Sequence, residues 1–184
     1  SLTAGILAGK KKYVKNIYLQ NLGIGRGMKV GKEAIYAAII GVENWYKRDW
    51  TKEINNQKNI LQFWLTFLAK EKFKGITYEI IADPTGNKIN RLRVHVDSKI
   101  SKFTIQSLSY HLEKNNPAIF VRDDLIHLNH FELDTCNLKK RQERVVMNEL
   151  KKIILQLNSR KIKNNISQKE YSITSNKEWL SWLN

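Results

Sequence analysis

A glycine-rich loop that carries three cations is the segment of this chain whose composition most clearly suggests chemistry. Residues 23–32 read GIGRGMKVGK, which places Arg26, Lys29 and Lys32 three residues apart. Glycines let backbone N–H groups approach a ligand closely, and a helix that follows such a loop presents its positive end to an anion. The loop therefore predicts a phosphate or carboxylate site, and a glycine-rich surface turn without a ligand is the alternative.

The spacing of this loop excludes two common phosphate-binding motifs. A Walker loop needs Ser or Thr after its Gly-Lys pair, but Gly31 and Lys32 are followed by Glu33, and no glycine lies five residues before Gly31. The dinucleotide-binding fingerprint needs its third glycine where Met28 stands. An anion bound here is therefore held by neither motif.

The other side chains with catalytic potential show no telling pattern. His95 lies on the polar face of a predicted strand, which favours a surface histidine over an acid/base catalyst. His111, His127 and His130 have no acid or cysteine partner at a telling spacing. Cys136, the only cysteine, is interpreted as a small buried residue. We therefore assign no metal site and no catalytic residue from this set.

The composition predicts a packed cytoplasmic protein. The 184 residues suffice for one domain, or for one domain and part of another. A hydrophobic content of 42% with only two prolines indicates a core rather than disorder. No apolar run reaches the roughly 18–20 residues of a membrane span, and residues 1–9 do not read as a signal peptide. The single cysteine suits a reducing compartment.

The net charge of +15 makes nucleic acid the first electrostatic candidate for a partner. The excess, however, is lysine accompanied by asparagine and isoleucine, as in residues 151–154 and 161–165. These residues have AT-rich codons, so genome composition can supply much of the charge. A solvated basic surface is the favoured interpretation, and nucleic-acid binding remains the alternative.

Periodicity predicts helices through most of the first half of the chain. The small, apolar residues 1–9 indicate a short buried strand, and a basic helix follows over about residues 10–20. Residues 33–46 are apolar on most sides and predict a buried helix. A long amphipathic helix begins near residue 49 or 51 and extends to about residue 72.

Alternating residue types then predict a sheet with two different faces. Residues 76–82 and 89–96 read as strands around a turn at residues 83–87. In the second strand, one set of side chains should face a core and the other should face water. The apolar set is Leu92, Val94 and Val96, and the polar set is Arg91, Arg93 and His95.

The elements that follow complete an α+β unit over about residues 75–157, with helices packed on a small antiparallel sheet. They are a helix over residues 103–113, a second strand pair over residues 118–121 and 125–128, and an amphipathic helix over residues 137–157. The basic tail from residue 159 ends near Trp179 and Trp182, which we expect to dock on the body or on a partner subunit.

Three segments resemble the selenocysteine-synthase-like family of fold-type-I pyridoxal-phosphate enzymes. SLTAGILAGKK at residues 1–11 is similar to the strand that follows the cofactor lysine in that family. RGMKVGKE at residues 26–33 resembles its R-x-x-R/K-V-x-K element at the same spacing, in a form closer to the ammonia-lyase-type branch than to the selenium transferases. NPAIFVR at residues 116–122 is similar to a strand of its C-terminal domain. The resemblance covers about residues 1–157.

The resemblance implies roles for four residues. Arg26 and Lys29 match the family's cationic pair, which holds the anionic group of the substrate, and Lys32 matches a basic position after that pair. Arg122 stands where fold-type-I enzymes often place an arginine on the substrate carboxylate. A structural ion pair with one of the two aspartates that follow it, or with another acid, is the alternative for Arg122.

The resemblance also implies pyridoxal phosphate as cofactor of the intact enzyme, bound as a Schiff base to a lysine. In the family that lysine precedes the strand that residues 1–9 resemble, so we expect the Schiff-base lysine to be missing from this chain. Lys10, Lys11 and Lys12 follow the strand and are not credible substitutes. The chain alone is therefore expected neither to attach the cofactor covalently nor to turn over substrate.

The fold class expected from this resemblance is α/β with an α+β C-terminal part. Residues 1–48 would end a large cofactor-binding domain, residues 49–74 would form a connecting helix, residues 75–157 a small C-terminal domain, and residues 158–184 a basic tail. The intact protein would be a homo-oligomeric lyase or transferase acting on a small amino-acid-like, phosphorylated substrate through α-proton abstraction and β-elimination. A non-enzymatic basic module that binds nucleic acid is the competing hypothesis.

Overall fold

The computed structural model describes residues 4–84, 86 and 88–181, without the side chains of residues 28 and 175–181. The chain divides into two compact units, Ser1–Trp50 and Thr51–Asn184. The assignment of these parts to a large and a small domain remains a prediction. None of the described helices is long and apolar enough to cross a bilayer.

The first unit consists of helices and turns. Helix α1, Lys11–Leu19, leads into two 3-10 turns, Gln20–Leu22 and Ile24–Met28, and helix α2, Lys32–Lys47, follows. Both helices predicted for this region are therefore confirmed.

The strand predicted at the beginning of this unit is wrong where it can be checked. Residues 4–9 form no strand, and Ser1, Leu2 and Thr3 lie outside the described residues. A strand exists only by hydrogen bonding to a neighbouring strand. The described part of the first unit offers helices and turns but no such neighbour.

Helix α2 is exposed, although its apolar composition predicted a buried helix. Ala34 is its only buried residue among those described. The large apolar side chains that remain exposed are Ile35, Tyr36, Ile39, Ile40, Val42, Trp45 and Tyr46. Apolar composition gives a helix a preference for burial, but burial also requires a second surface that covers it.

The second unit contains a three-stranded antiparallel sheet and the helices that cover it. Strands β1, Ile76–Ala82, and β2, Asn90–Val96, form the predicted pair, and β3, His130–Leu133, adds to the other edge of β2. The helices are α3 (Trp50–Glu71), α4 (Ser98–Ser101), α5 (Ile105–Glu113), α6 (Gln142–Asn158) and α7 (Gln168–Ser181). The predicted α+β architecture is confirmed.

The core of the second unit lies between one face of the sheet and helices α3, α5 and α6. Leu92 and Val94 of β2 and Phe131 of β3 are completely buried there, as the alternation of β2 predicted. Trp64 of α3 is buried as well, and its indole Nε1 donates to the carbonyl oxygen of Glu143 at 3.0 Å. This bond fixes the long helix to the start of α6, because a buried indole N–H needs an acceptor.

The predicted second strand pair over residues 118–121 and 125–128 is wrong. Residues 126–128 form a 3-10 turn, and the strand beside β2 is His130–Leu133. Phe131 and Leu133 point into the core when this segment pairs with β2, whereas Leu125 and Leu128 are exposed in the turn. The segment that pairs with β2 is the one whose apolar side chains can reach the core, and this is His130–Leu133.

The tail docks through a tyrosine. Tyr171 of α7 is buried, and its hydroxyl donates to Asp123 Oδ2 at 2.6 Å and lies 2.8 Å from Ser109 Oγ. Burial and the neighbouring Asp123 carboxylate raise the pKa of Tyr171. The predicted docking through tryptophans is not described, because Trp182 and the side chain of Trp179 lie outside the described residues.

The polar face of the sheet carries a network of buried charges around Arg91. Its guanidinium lies 2.6 Å from Asp83, 3.0 Å from Glu132 and 3.6 Å from Asp134. Arg91 is 8% exposed, so the prediction that it faces water is wrong, because the turn after β1 and the segment after β3 place carboxylates over it. Burial disfavours the charge, but the hydrogen bond to Glu132 and the charge of Asp83 raise the pKa of Arg91.

Glu132 also binds Arg93, which lies 2.9 Å away and is only partly buried. Burial alone would raise the pKa of Glu132, but its hydrogen bonds from Arg93 and Arg91 lower that pKa below the ordinary value. Glu132 is therefore held as a carboxylate that links two neighbouring positions of β2.

His130 is buried beside this network without a partner for either ring nitrogen among the described residues. It pairs across the sheet with His95, and their ring centroids are 4.9 Å apart. Burial and the charge of Arg93 lower the pKa of His130 below its ordinary value. The neutral imidazole is the form that suits this position.

Replacing Arg91 with methionine should lower the free energy of unfolding by about 3–5 kcal/mol, because the substitution removes the buried guanidinium that both Asp83 and Glu132 bind. Arg93→Met is the matched control, since it keeps the contact between Arg91 and Glu132. Its decrease in the free energy of unfolding should be clearly smaller. Urea unfolding followed by circular dichroism measures both. Equal losses would contradict the central position of Arg91.

The free energy of unfolding should fall as the pH is lowered from 7 toward 5. Because the pKa of His130 is lowered in the fold, the unfolded chain binds a proton there first, beginning near its ordinary value of 6.5. The contribution of the neutral His130 to the free energy of unfolding is complete above that pH. It is lost as the pH falls through the pKa that His130 has in the fold. In His130→Phe, urea unfolding between pH 8 and 5 should show a free energy of unfolding that depends less on pH. An unchanged pH dependence would exclude His130 as its source.

Candidate functional site

The first half of the glycine-rich loop forms the second of the two 3-10 turns between α1 and α2. Within it, the N–H of Gly23 donates to the carbonyl oxygen of Gln20 and the N–H of Arg26 donates to that of Gly23, each at 3.0 Å. A methyl group at Gly25 would lie 2.9 Å from the Gln20 carbonyl oxygen. The tight turn itself therefore requires this glycine, whether or not a ligand binds.

Arg26, Lys29 and Lys32 are all exposed, and none forms an ion pair within the described part of the chain. Arg26 lies in the second turn, Lys29 is in extended backbone, and Lys32 is the first residue of α2. The three cations lie within one ten-residue loop and have no carboxylate partner there, so they form a local positive surface. Its charge is available to an external anion.

The N-terminus of α2 adds backbone donors to this surface. The helix has 16 residues, and its cap residue, Gly31, has no side chain that could accept from the N–H groups of the first turn. Those N–H groups and the positive end of the helix dipole favour an anion. Glu33 in the same turn partly offsets this attraction.

Arg122, the fourth predicted anion ligand, lies in the second unit beside a cleft of about 450 Å³. Its backbone is fixed by two hydrogen bonds of 2.9 Å with Glu132, one in each direction. Its guanidinium lies 3.8 Å from both Asp124 and Asp134, and the side chain is 46% exposed. Contacts this long at a half-exposed site contribute little to stability, so a ligand carboxylate can exchange for them.

The cleft has an apolar wall and an acidic edge. Its apolar side is formed by residues of α3, of the segment before Arg122, and of α6 with the turn that precedes it: Trp64, Ile119, Val121, Leu138, Val145 and Val146. Glu132 and Asp134 form the acidic edge. An apolar cleft of this size with a few polar groups is typical of a small-molecule site.

Asp134 is a site residue that the sequence did not reveal. Its carboxylate is 3.8 Å from Arg122 and 3.6 Å from Arg91, so it lies between the exposed arginine and the buried network. Nothing in the residue types around position 134 indicates this, since the contact depends on how the chain leaves β3. Arg122 forms ion pairs with Asp124 and Asp134, while Asp123 binds Tyr171 instead, and its role toward a substrate carboxylate stays a prediction.

The histidines and the cysteine form no catalytic arrangement in the described residues. His95 is partly exposed, 3.7 Å from Glu79, and the ring of His111 lies 2.9 Å from the carbonyl oxygen of Lys163. Cys136 is exposed, so the prediction that it is buried is wrong; it follows β3 and does not reach the core. Desolvation of its sulfur and the Asp134 carboxylate still raise the pKa of the Cys136 thiol to about 11, which makes it a poor nucleophile.

The described residues also lack the features of a metal or Schiff-base site. No group of three or more potential ligands lies close enough together among them to hold a metal ion. None of the lysines whose side chains are described is buried. A lysine that forms a Schiff base is commonly activated by desolvation or by another cation in an enclosed site. The described lysines therefore do not fit the attachment of pyridoxal phosphate.

Comparisons with known proteins find two relatives in sequence. The chain is 24% identical over 151 residues to D-glucosaminate-6-phosphate ammonia lyase of Salmonella typhimurium, which covers 82% of this chain and 39% of that protein. It is 28% identical over 156 residues to a 5'-C-glycyluridine monooxygenase-decarboxylase of a Streptomyces species, covering 83% and 38% respectively. No model of a protein family matches the chain.

A solved structure of D-glucosaminate-6-phosphate ammonia lyase has the same fold over 81% of this chain and 39% of its own, with a TM-score of 0.59 and 23% identity. The chain thus spans about two fifths of the length of the relatives it matches. The predicted resemblance to an ammonia lyase is therefore confirmed: over about four fifths of its length the chain is similar to D-glucosaminate-6-phosphate ammonia lyase in sequence and in fold.

Proposed function

We propose that this chain is part of a pyridoxal-phosphate-dependent lyase that acts on a phosphorylated amino-sugar acid, and that it supplies cations for the anionic groups of the substrate. The observation that carries the proposal is the surface formed by Arg26, Lys29 and Lys32 at the uncapped start of α2. It occurs in a chain similar to a lyase whose name specifies D-glucosaminate 6-phosphate.

The chemistry of this surface suits a phosphate. A phosphate ester carries close to two negative charges at neutral pH and offers three oxygens. The guanidinium of Arg26 can bind two of them in a planar fork, while Lys29 and Lys32 act as point charges. The free N–H groups at the start of α2 provide further donors, as at many phosphate sites.

Arg122 suits a different anionic group, the substrate carboxylate. Two aspartates already lie 3.8 Å from its guanidinium, and Glu132 forms part of the cleft beside it. A carboxylate brings only one negative charge to this acidic position. A phosphate dianion would meet stronger repulsion from the two aspartates.

Pyridoxal phosphate would supply an electron sink for the charge left after the α-proton is removed. The described lysines do not fit its attachment, so the proposal places the Schiff-base lysine outside them and derives no step through the cofactor. The contribution proposed for this chain is the binding of anionic groups of the substrate. The family resemblance also suggests a homo-oligomer for the intact enzyme.

Replacing Arg26 with glutamine should weaken binding of D-glucosaminate 6-phosphate about tenfold or more, because a charge-assisted hydrogen bond to phosphate is lost. Lys29→Gln should act in the same direction. Calorimetric titration of the protein measures the affinity, and Lys15→Gln, on exposed α1 outside the loop, is the control for the lost charge.

The unphosphorylated acid distinguishes the two anion positions. Its affinity should be insensitive to Arg26→Gln but should fall in Arg122→Gln. If Arg26→Gln weakens both ligands equally, the loop does not bind the phosphate.

The 184-residue chain mixed with pyridoxal phosphate should show no selectively modified lysine after borohydride reduction. The physical reason is that none of the described lysines is desolvated. Peptide mass spectrometry measures the adducts, and scattered low-level modification of exposed lysines is the expected background. One lysine modified stoichiometrically would refute the prediction.

A further inference from the structure

We propose a second anion site, in the second unit, that binds the phosphate group of a small ligand and is independent of the loop at residues 23–32. The site is a polar cavity of about 470 Å³ between the end of α4 and the segment after α6. The described residues that line it are Ser98, Lys102, Phe103, Thr104, Arg160, Asn164 and Asn165. This inference does not depend on the proposed function.

Hydrogen bonds between two chain segments hold the walls of the cavity in place. The N–H of Thr104 donates to the carbonyl oxygen of Asn164 at 3.1 Å, and Asn164 Nδ2 donates to that of Lys102 at 3.0 Å. Thr104 Oγ1 donates to the carbonyl oxygen of Ile166 at 3.0 Å. The cavity is therefore a fixed junction rather than a gap between loose surface loops.

Two cationic residues of the cavity, Lys102 and Arg160, have a backbone conformation that other residue types adopt more readily. Lys102 ends α4 and Arg160 follows the end of α6, with φ of 65° and 55°, in the left-handed region that glycine and asparagine prefer. Their N–H groups bond back to Ser98 at 3.2 Å and Leu157 at 3.1 Å, so the backbone there is satisfied. A long charged side chain is not needed for these turns.

The charge of this cavity is unopposed. Neither Lys102 nor Arg160 forms an ion pair within the described part of the chain, and none of the described lining residues is acidic. The carboxylate nearest in sequence, Asp97, accepts from the N–H of Lys99 at 2.9 Å. A helix dipole explains Lys102 poorly, because α4 has only four residues. The structure thus places two cations that have no ion-pair partner among the described residues in one polar cavity, together with the side chains of Ser98 and Asn165.

The size and charge of the cavity favour the phosphate of a small molecule over a nucleic acid. Its volume falls in the range of small-ligand sites, roughly 300–1,000 Å³. Nucleic-acid binding typically uses several phosphate contacts along an extended surface, about six to ten in strong cases. Two cations at one junction match a single phosphate group instead.

The test is a titration of the 184-residue chain with inorganic phosphate at low salt and pH 7, followed by amide NMR. We expect saturable shifts at Lys102, Thr104 and Asn165. Lys102→Asn and Arg160→Asn should each weaken binding about tenfold, because each removes one charge-assisted contact. Asparagine keeps the left-handed backbone acceptable, and the urea midpoint of each variant checks that the fold is intact.

The matched control is Lys99→Asn, since Lys99 lies on the same short helix but outside the cavity. It should leave phosphate affinity unchanged within about twofold. Absence of saturable shifts, or shifts that neither Lys102→Asn nor Arg160→Asn reduces, would overturn the site.

Two further measurements separate this site from the other hypotheses. Arg26→Gln should leave the shifts at Lys102 and Thr104 unchanged, so failure of either anion site is visible without affecting the other. If a short oligonucleotide binds this cavity with a steep salt dependence while inorganic phosphate does not compete, the surface belongs to nucleic acid and the proposal is wrong.

Discussion

The buried guanidinium of Arg91 is the interaction on which the polar side of the second unit depends. From the start of β2 it binds Asp83 in the turn after β1, Glu132 in β3 and Asp134 just after β3. Breaking a buried pair costs far more than forming it contributes, so these segments are held in one arrangement. Glu132 in turn fixes the backbone of Arg122 through two hydrogen bonds, so the buried network also positions one wall of the cleft.

The two units differ in what stabilises them. In the second, completely buried side chains such as Leu92, Phe131 and Met147 pack between sheet and helices, each contributing roughly 1.5–3 kcal/mol. In the first, Ala34 is the only core residue among those described, and α2 presents large apolar side chains to the surface. Its helices therefore rely on their own hydrogen bonds, which alone support helices of this length only marginally in water.

Periodicity and motifs predicted the helices, the hairpin of β1 and β2, and the homology, because each is recorded in residues close in sequence. The partner of β2 was misassigned, since the choice between residues 125–128 and His130–Leu133 depends on which side chains reach a core that other elements build. The burial of Arg91 and the contact of Asp134 with Arg122 were missed for the same reason. Such contacts join residues that are distant in sequence, as Arg91 and Asp134 are, and leave no local signature.

The distribution of acids determines which anion each arginine can bind. Arg26 stands with two lysines and no ion-pair partner among the described residues, so a doubly charged phosphate gains from every neighbour except Glu33. Arg122 already has Asp124 and Asp134 beside it. Glu132 adds little repulsion there because Arg91 and Arg93 neutralise it. A ligand carboxylate, with one negative charge, therefore meets less repulsion beside Arg122 than a phosphate with close to two, because no other cation is among the described residues that line the cleft.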